Sequence, residues 1–495
     1  MILHRSAIYR AGTFAAIAAV VIAGSAKAQS PEFAARWVDS IFARYATSTS
    51  PGCGVGIVRN GRLELAKGYG MADLGRHVAI TPQTSFYLAS LAKQFTAMSI
   101  VLLAQDGTLS LDDDVRKWVP EVPNFGSTIT LRHLLTHTSG LRDYMTLLAL
   151  TGWQSDGPLT QHDFLALVAR QRDLNFQPGE ELMYSNTGYA LLGLVVERAS
   201  GRSLRDFAAE RIFAPLHMTH TEFIADHGSL INNLALGYET APSGFRVSGS
   251  RSDVVGDGGA YSTIEDLARW DGNFETGRVG GKQGVAELIQ PGQLSDGDTL
   301  DYAFGLSLST FAGARTISHS GAYGGYRTTF MRFPDNHLSV ITLCNVANAS
   351  PTLAEQVASI FIFPSVTHSA TDAAAPLDMV ADSGRFGLVQ LLTDPPTFDL
   401  GAILDATGTD DQALIAGRYF SPELNMAVTI RSRGGVLVME RPRGDDVRFS
   451  RSGPDVYTSP DDITLRMRRT ESGRVSGFSL TVGRVRDLSF ARQDE

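Results

Sequence analysis

The sequence predicts a mixed α/β protein with two parts. In the first, both ends of a domain build one antiparallel sheet around an inserted helical lobe, and the second is a C-terminal antiparallel β-barrel. Alternating apolar runs lie at residues 55–70 and 303–345, and helical patterns fill the stretch between them. After residue 415, eight short alternating runs follow one another to the end of the chain. That rhythm is typical of an antiparallel barrel or sandwich, and we expect the barrel.

The first 28 residues predict an export signal. Arg5 and Arg10 precede an apolar core of about 14 residues, and Ala26-Lys27-Ala28 supplies a small-x-small cleavage site. The core is shorter than the roughly 20 residues that cross a bilayer. We therefore expect a periplasmic or secreted protein, with no stable membrane insertion after the signal is cleaved.

Composition and period predict the domain boundaries. A sheet-and-helix domain is expected over residues 29–365, where Asn60-Gly61 joins two alternating runs as a hairpin. Residues 366–410 mix short apolar fragments with TDAAAP and TDPP, which is typical of a linker. The barrel is expected over residues 411–495.

Charge limits the partners. Cleaving the leader takes the net charge from −9 to −12, which disfavours nucleic acid and anionic membrane surfaces. The barrel region has 14 arginines against 12 acids and no lysine, which indicates a solvated face. We expect a small-molecule or peptide substrate, while the oligomeric state stays open.

Two cysteines, Cys53 and Cys344, are too few for a cysteine-stapled scaffold or a cysteine-based metal site. Both lie on apolar, strand-like runs, which favours buried free thiols. A single disulfide remains the alternative in an oxidising compartment.

A serine and a lysine three residues apart, Ser90 and Lys93, stand in the apolar stretch FYLASLAKQF. Only five of the 43 basic residues are lysines, so this chain mostly uses arginine for its positive charges. A lysine at position 93 is therefore informative, because a lysine can lose its proton under conditions in which an arginine cannot. At the start of a helix, positions i and i+3 share one face. A lysine held neutral by apolar surroundings can accept the proton of a serine hydroxyl, or it can hold the phenolate of a tyrosine that accepts this proton.

Two further places complete a pattern. Tyr184-Ser185-Asn186 precedes the helical stretch YALLGLVVERA, and His319-Ser320-Gly321 ends a predicted strand before Ala322. Taken alone, each has an ordinary interpretation as a loop aromatic, a helix cap, a structural histidine or a turn.

Together, Ser-x-x-Lys, Tyr-x-Asn and His-x-Gly stand in the order found in the serine β-lactamase and penicillin-binding protein superfamily. The chain resembles the branch that contains class C β-lactamases, D-alanyl-D-alanine carboxypeptidases, D-aminopeptidases and related esterases. The stretches ITLRHLLTHTSGL and FQPGEELMYSNTGYALLG extend the resemblance, which covers about residues 35 to 350. The C-terminal strands are similar to a lipocalin-like barrel found in some members.

The resemblance implies a role for each residue. Ser90 would be the acylated nucleophile, Lys93 the group that deprotonates it, and Tyr184 the general base and acid. Asn186 would orient the substrate amide. The backbone N–H groups of Ser90 and Ala322 would form the oxyanion hole.

The third motif departs from the usual Lys-Thr-Gly of this superfamily. His319 would stand where a lysine helps to bind the substrate carboxylate, and Gly321 would let the substrate lie along the strand edge. A histidine is mostly neutral at pH 7, because its ordinary pKa is about 6.5. We expect its protonation to decide how well carboxylate-bearing substrates bind.

The sequence thus predicts an exported serine hydrolase that acts through a Ser90 acyl-enzyme on amide or ester bonds. A peptidase or amidase on small or D-residue-containing peptides is favoured over an esterase or a weak β-lactamase. A non-catalytic, penicillin-binding-like sensor is the alternative from another class. No metal or organic cofactor is expected, and His133 and His137 at i,i+4 spacing have no third ligand in sight.

Overall fold

The structure is a computed structural model that describes residues 31–154, 157–362, 414–433 and 436–493. The predicted signal (residues 1–28) and the whole of the predicted linker (residues 366–410) lie outside the described residues. Within the described ranges, none of the helices combines the length and apolar character needed to cross a membrane.

Helices and strands alternate over the first two ranges. The helices are α1 Pro31–Phe42, α2 Lys93–Gln105, α3 Leu131–Leu135, α4 Tyr144–Leu150, α5 Gln161–Ala169, α6 Asn186–Ser200, α7 Leu204–Ala208, α8 Ile264–Thr276, α9 Gly281–Leu288 and α10 Leu353–Ile362. The strands are β1 Cys53–Arg59, β2 Arg62–Tyr69, β3 Met71–Asp73, β4 Val78–Ala79, β5 Phe86–Tyr87, β6 Glu222–Phe223, β7 Tyr238–Ala241, β8 Gly244–Val247, β9 Ala260–Ser262, β10 Ser307–Phe311, β11 Ala314–Tyr323, β12 Tyr326–Phe333 and β13 Leu338–Cys344.

The main sheet joins the two ends of this domain, as the sequence predicts. Its strand order is β10-β11-β12-β13-β1-β2, and β1 pairs antiparallel with β13. The turn between β1 and β2 has Asn60 and Gly61 at positive φ (51° and 70°), as the tight hairpin turn predicted from Asn-Gly requires.

Both faces of the sheet are covered. Helix α8 packs against β1, β2 and β13 on one face, and α10 packs against β12 and β13. Gly56 on β1 permits the close approach of α8, because a Cβ there would lie 2.5 Å from Cγ2 of Ile264.

The two cysteines form a disulfide, and the favoured interpretation of free thiols was wrong. Cys53 on β1 and Cys344 on β13 are paired directly opposite each other in the sheet. The closure of the sheet by both chain ends therefore brings together two thiols that stand 291 residues apart.

The helical lobe is built around α2, whose residues Lys93 to Leu103 are all buried. A helix that is buried on every side lies in the centre of a domain. Helix α6 packs against α2. It is capped by Ser185, whose Oγ accepts from the N–H of Gly188, and it ends at Gly201 in the left-handed conformation.

The C-terminal strands form a closed eight-stranded barrel, as predicted. The strands are β14 Gly417–Ser421, β15 Met426–Arg433, β16 Val436–Glu440, β17 Val447–Gly453, β18 Val456–Thr458, β19 Thr464–Arg469, β20 Val475–Val482 and β21 Val485–Gln493. Pairing of β14 with β21 closes the ring. Buried aromatic rings pack inside it: Phe478 stacks on Phe490 and meets Tyr419 edge to face. Side chains therefore fill the interior of the barrel.

The barrel packs directly on the helical lobe. Arg142, just before α4, forms an ion pair with Glu423, and both side chains are 1% exposed. The Nε of Arg142 also donates to the carbonyl of Arg486 on β21 (3.1 Å). The contact lies beside the loop that carries Tyr184, so the barrel is positioned to shape that part of the molecule.

Candidate active site

Ser90 lies in a 3₁₀ turn, Ala89–Ala92, between β5 and α2. The residue before it, Ala89, has φ +50°, a conformation that L residues rarely adopt. Ser90 is partly exposed while its neighbours are buried. The turn therefore presents one hydroxyl at the end of a buried helix.

Lys93 is fully buried beside Ser90. Its Nζ lies 2.9 Å from Oδ1 of Asn186, 2.7 Å from the carbonyl oxygen of Asp257 and 3.0 Å from Oγ of Ser90. The amide and carbonyl oxygens can only accept, so two N–H groups of Lys93 must point at them. A neutral amine has one lone pair left, and the remaining direction is that of Ser90.

The surroundings favour the neutral amine. Burial lowers the pKa of Lys93 to about 7, because the charged form loses its hydration. The carboxylates of Asp257 and Asp143 oppose this shift, while the positive charge of Arg484 adds to it. The amine is therefore able to exchange a proton with Ser90 near neutral pH.

Tyr184 lies next to Lys93, with its ring centre 4.9 Å from Nζ of the lysine. Desolvation raises the pKa of Tyr184, although an interaction with the Ser90 side chain and the charge of Arg484 lower it. The resting tyrosine is therefore a protonated phenol, able to donate a proton.

Asn186 opens α6 and is held from two sides. Its N–H donates to Oδ2 of Asp143 (2.7 Å), while its side-chain oxygen accepts from Lys93. Asp143 is fully buried and caps α4 by accepting from the N–H of Thr146 (3.0 Å). One carboxylate thus fixes the start of both helices.

Asp257 supplies the second buried acid. Its carboxylate accepts from the hydroxyl of Tyr144 (2.9 Å), and its carbonyl accepts from Lys93. Burial raises the pKa of Asp257, and the charge of Lys93 opposes the rise. The carboxylate of Asp257 therefore raises the pKa of Lys93, while the main-chain carbonyl of Asp257 orients the lysine amine.

The edge of β11 forms the opposite wall. Strand β10 pairs only with residues 314–318, so His319 to Tyr323 lie beyond its last partner. A Cβ on Gly321 would lie 2.1 Å from the carbonyl oxygen of Leu88. Gly321 is therefore required for the strand to approach the Ser90 turn, and Ala322 follows at an exposed position.

His319 faces inward. Its Nδ1 lies 2.6 Å from the carbonyl oxygen of Ser320, and its Nε2 lies 3.1 Å from the hydroxyl of Tyr302. Burial lowers the pKa of His319 to about 3, and the charge of Lys93 adds to the shift. The ring is neutral between about pH 5 and 8, so the buried environment disfavours the carboxylate-sensing role expected from the sequence.

The barrel contributes Arg484, which lies in the turn between β20 and β21. Its guanidinium lies 5.4 Å from the centre of the Tyr184 ring and 3.1 Å from Oδ1 of Asp143. Its carbonyl oxygen accepts from Nδ2 of Asn175 (3.0 Å). A positive charge from the C-terminal part of the chain thus lies next to the Tyr184 phenol.

The family model described as Beta-lactamase matches residues 38–360, which is more than half of the chain. The chain belongs to the beta-lactamase family. As a member of this family it is a serine hydrolase. The matched residues span the main sheet and the helical lobe, and they contain every site residue predicted from the sequence.

Individual relatives are similar to the chain in sequence, and a solved structure is similar to it in fold. A D-aminopeptidase of Cereibacter sphaeroides (strain KD131 / KCTC 12085) is 27% identical over 506 residues, covering 89% of this chain and 96% of that protein. Penicillin-binding protein 4* of Bacillus subtilis (strain 168) is 34% identical over 294 residues, covering 56% of this chain and 64% of that protein. The octameric penicillin-binding protein homologue from Pyrococcus abyssi has a TM-score of 0.59 at 21% identity, covering 94% of this chain and all of that one.

Four residues of this beta-lactamase family site were not found from the sequence: Asp143, Asp257, Tyr302 and Arg484. Arg484 lies in a barrel hairpin that no spacing links to Ser90. Asp257 stands in GDGGAYS, where Gly258 must stay small because a Cβ would lie 2.7 Å from the hydroxyl of Tyr87. The position of Asp257 between Gly256 and Gly258 was the one sequence feature that could have indicated a functional role for this acid.

His133 and His137, the pair with i,i+4 spacing, take structural positions. Nδ1 of His133 accepts from the N–H of Thr130 (3.3 Å) at the start of α3. His137 lies beyond the end of α3 with φ +59°, so the two rings do not share a helical face. His137 instead packs on Tyr184, with ring centres 4.3 Å apart.

Proposed function

We propose that this protein is an exported peptidase or amidase that cleaves small or D-residue-containing peptides through a Ser90 acyl-enzyme. The observation that carries the proposal is the set of three contacts of Lys93 Nζ. It lies 2.9 Å from Oδ1 of Asn186 and 2.7 Å from the carbonyl oxygen of Asp257, which can only accept, and 3.0 Å from Oγ of Ser90. We infer that the neutral amine donates to the two acceptors and turns its lone pair to the Ser90 hydroxyl.

Acylation begins when Nζ of Lys93 takes the hydroxyl proton and Oγ of Ser90 attacks the carbonyl carbon. The carbonyl π-electrons move to oxygen, and we expect the N–H groups of Ser90 and Ala322 to stabilise that charge, as the family resemblance implies. Tyr184 then protonates the leaving nitrogen as the C–N bond breaks. The raised pKa of Tyr184 keeps the phenol protonated at rest, so a proton is available when the leaving nitrogen becomes basic.

Deacylation reverses the roles. A water molecule attacks the Ser90 ester and gives up a proton to the Tyr184 phenolate left by the first step. The Ser90 oxygen leaves and regains its proton from the Lys93 ammonium. Every proton taken is returned, so the free enzyme is regenerated without a further reactant.

Two kinds of support favour this substrate class: the neutral state of His319 and the similarity to a D-aminopeptidase. A neutral, buried His319 offers no cation to a substrate carboxylate, which favours amides and peptides over β-lactams. A relative that matches 96% of its own length is named D-aminopeptidase, which supports the D-residue preference. The apolar leader with its Ala26-Lys27-Ala28 site supports export to the periplasm or beyond the cell.

A substrate panel tests the proposal. Matched D- and L-aminoacyl amides, short peptides, p-nitrophenyl esters and nitrocefin should be compared by kcat/KM on the full mature chain. We expect the amides and peptides of D residues to lead. Faster turnover of esters or nitrocefin would replace the proposal with an esterase or a β-lactamase, and labelling without recovery would indicate a sensor.

A further inference from the structure

Three buried rings form a row beneath the site: His137, Tyr302 and His319. Nε2 of His137 and Nε2 of His319 each lie 3.1 Å from the single hydroxyl of Tyr302. At the outer ends, Nδ1 of His137 lies 3.1 Å from the N–H of Ser185, and Nδ1 of His319 lies 2.6 Å from the carbonyl oxygen of Ser320.

The two main-chain groups fix every proton in this row. The Ser185 N–H can only donate, so Nδ1 of His137 carries the lone pair and its Nε2 carries the proton. The Ser320 carbonyl can only accept, so Nδ1 of His319 is protonated and its Nε2 is bare. Tyr302 then accepts from His137 and donates to His319. The hydrogen bonds all run in one direction, and the two imidazoles hold opposite tautomers.

The row joins the two walls of the site. Ser185 stands between Tyr184 and Asn186, and Ser320 stands two residues before Ala322. His137 also packs on the Tyr184 ring, with 4.3 Å between ring centres. A shift of either wall would therefore break a bond in the row.

The surroundings keep the row neutral. Lys93 lowers the pKa of both imidazoles in addition to burial, and Arg484 lowers that of His137. Burial raises the pKa of Tyr302, with Tyr184 and Tyr189 adding to the rise. The hydroxyl of Tyr189 donates to the carbonyl of Leu135 (2.7 Å), so towards Tyr302 it can act only as an acceptor. Within the row, the acceptor for the Tyr302 proton is Nε2 of His319 at 3.1 Å.

We propose that Tyr302 is a positioning residue, which holds the wall carrying Tyr184 at a fixed separation from the β11 edge through this one-directional row of hydrogen bonds. The proposal rests on the proposed function, because the benefit is a fixed geometry between the proton donor at Tyr184 and the oxyanion contact at Ala322.

A double-mutant cycle tests the coupling. Tyr302→Phe keeps the ring and removes both hydrogen bonds, and we expect kcat to fall by ~10- to 100-fold with KM changed by less than ~3-fold. His319→Gln should cost a similar factor, and the double variant should be little worse than the worse single variant. Tyr326→Phe is the matched control, because its buried hydroxyl donates to the carbonyl of Ala235 (2.8 Å) outside the row. Additive losses, or an unchanged kcat in Tyr302→Phe, would overturn the proposal.

A spectroscopic measurement tests the proposed row of hydrogen bonds directly. It requires neither a substrate that is turned over nor a variant that remains active. In nitrogen-15 imidazole spectra of the full chain, His137 should be protonated at Nε2 and His319 at Nδ1, with the signals assigned by their loss in His137→Gln and His319→Gln. Finding both rings in the same tautomer would refute the row. If no substrate on the panel is cleaved, the proposed function fails while these tautomers still test the positioning residue.

Discussion

The guanidinium of Arg484 lies 5.4 Å from the ring centre of Tyr184, although 300 positions separate the two residues. The same guanidinium lies 3.1 Å from the buried carboxylate of Asp143. The barrel hairpin therefore completes a site whose other groups come from the beta-lactamase family domain. A charge from the barrel acts on both proton-transfer groups, because Arg484 lowers the pKa values of Lys93 and Tyr184.

The pH dependence of kcat/KM for an uncharged amide should show an inflection near pH 7. Lys93 must lose its proton to act as a base, and its pKa is lowered to about 7 by burial. Activity should therefore rise as the pH increases through this value. Two opposite charge variants test the assignment of the inflection to Lys93.

Asp257→Asn should move the inflection to lower pH, because the Asp257 carboxylate raises the pKa of Lys93. Arg484→Met should move it to higher pH, because the Arg484 charge lowers that pKa. Each displacement should be on the order of one pH unit. Shifts in the same direction would show that the inflection belongs to another group.

His319 should not sense substrate charge in the intact enzyme. The ratio of kcat/KM for a carboxylate-ended substrate to that for its amide should stay flat between about pH 5 and 8, because burial lowers the pKa of His319 to about 3. Paired pH profiles measure this ratio with shared ionisations cancelled. A ratio that rises as the pH falls in the wild type, and not in His319→Gln, would restore the expectation drawn from the sequence.

The contact between barrel and lobe should be sensitive to its buried ion pair. Glu423→Gln leaves the Arg142 guanidinium buried without a full counter-charge, and breaking such a pair typically costs about 3–5 kcal/mol. Urea unfolding at neutral pH measures the loss. Arg142→Met combined with Glu423→Met should lose much less, because both charges are removed. An equal loss in the double variant would show that packing, and not charge, is responsible.

The disulfide should stabilise the sheet closure. Cys53→Ala with Cys344→Ala should lower the free energy of unfolding by about 2–5 kcal/mol, the usual range for a native disulfide. Reducing agent should destabilise the wild type and leave the double variant unchanged. Detection of two free thiols in the purified, unreduced protein by mass spectrometry would contradict the pairing.

Local patterns were sufficient for much of the fold. The Asn60-Gly61 turn and the period-two runs predicted the hairpin and the closing strands. The Ser-x-x-Lys spacing predicted that Ser90 and Lys93 meet. These features depend on neighbours in the chain, so the sequence carries them directly.

Long-range contacts were not accessible in this way. The Cys53–Cys344 pairing depends on the register of β1 against β13, and Arg484 reaches the site only because the barrel docks on the helical lobe. Asp143, Asp257 and Tyr302 act through hydrogen bonds to groups far away in the chain. The lowered pKa of His319 depends on burial, and the residues next to it in the sequence do not show how deeply its side chain is buried.

The rate of covalent labelling at Ser90 tests the central claim, that Lys93 is the base which activates this serine. A serine-reactive probe followed by intact-mass and peptide mapping should add one probe at Ser90 in the wild type and none in Ser90→Ala. Lys93→Arg and Tyr184→Phe should each label at least ~10²-fold more slowly, because groups that act as one proton-transfer unit fail together and a guanidinium cannot serve as the base. Labelling of Lys93→Arg at a rate close to that of the wild type would contradict the account.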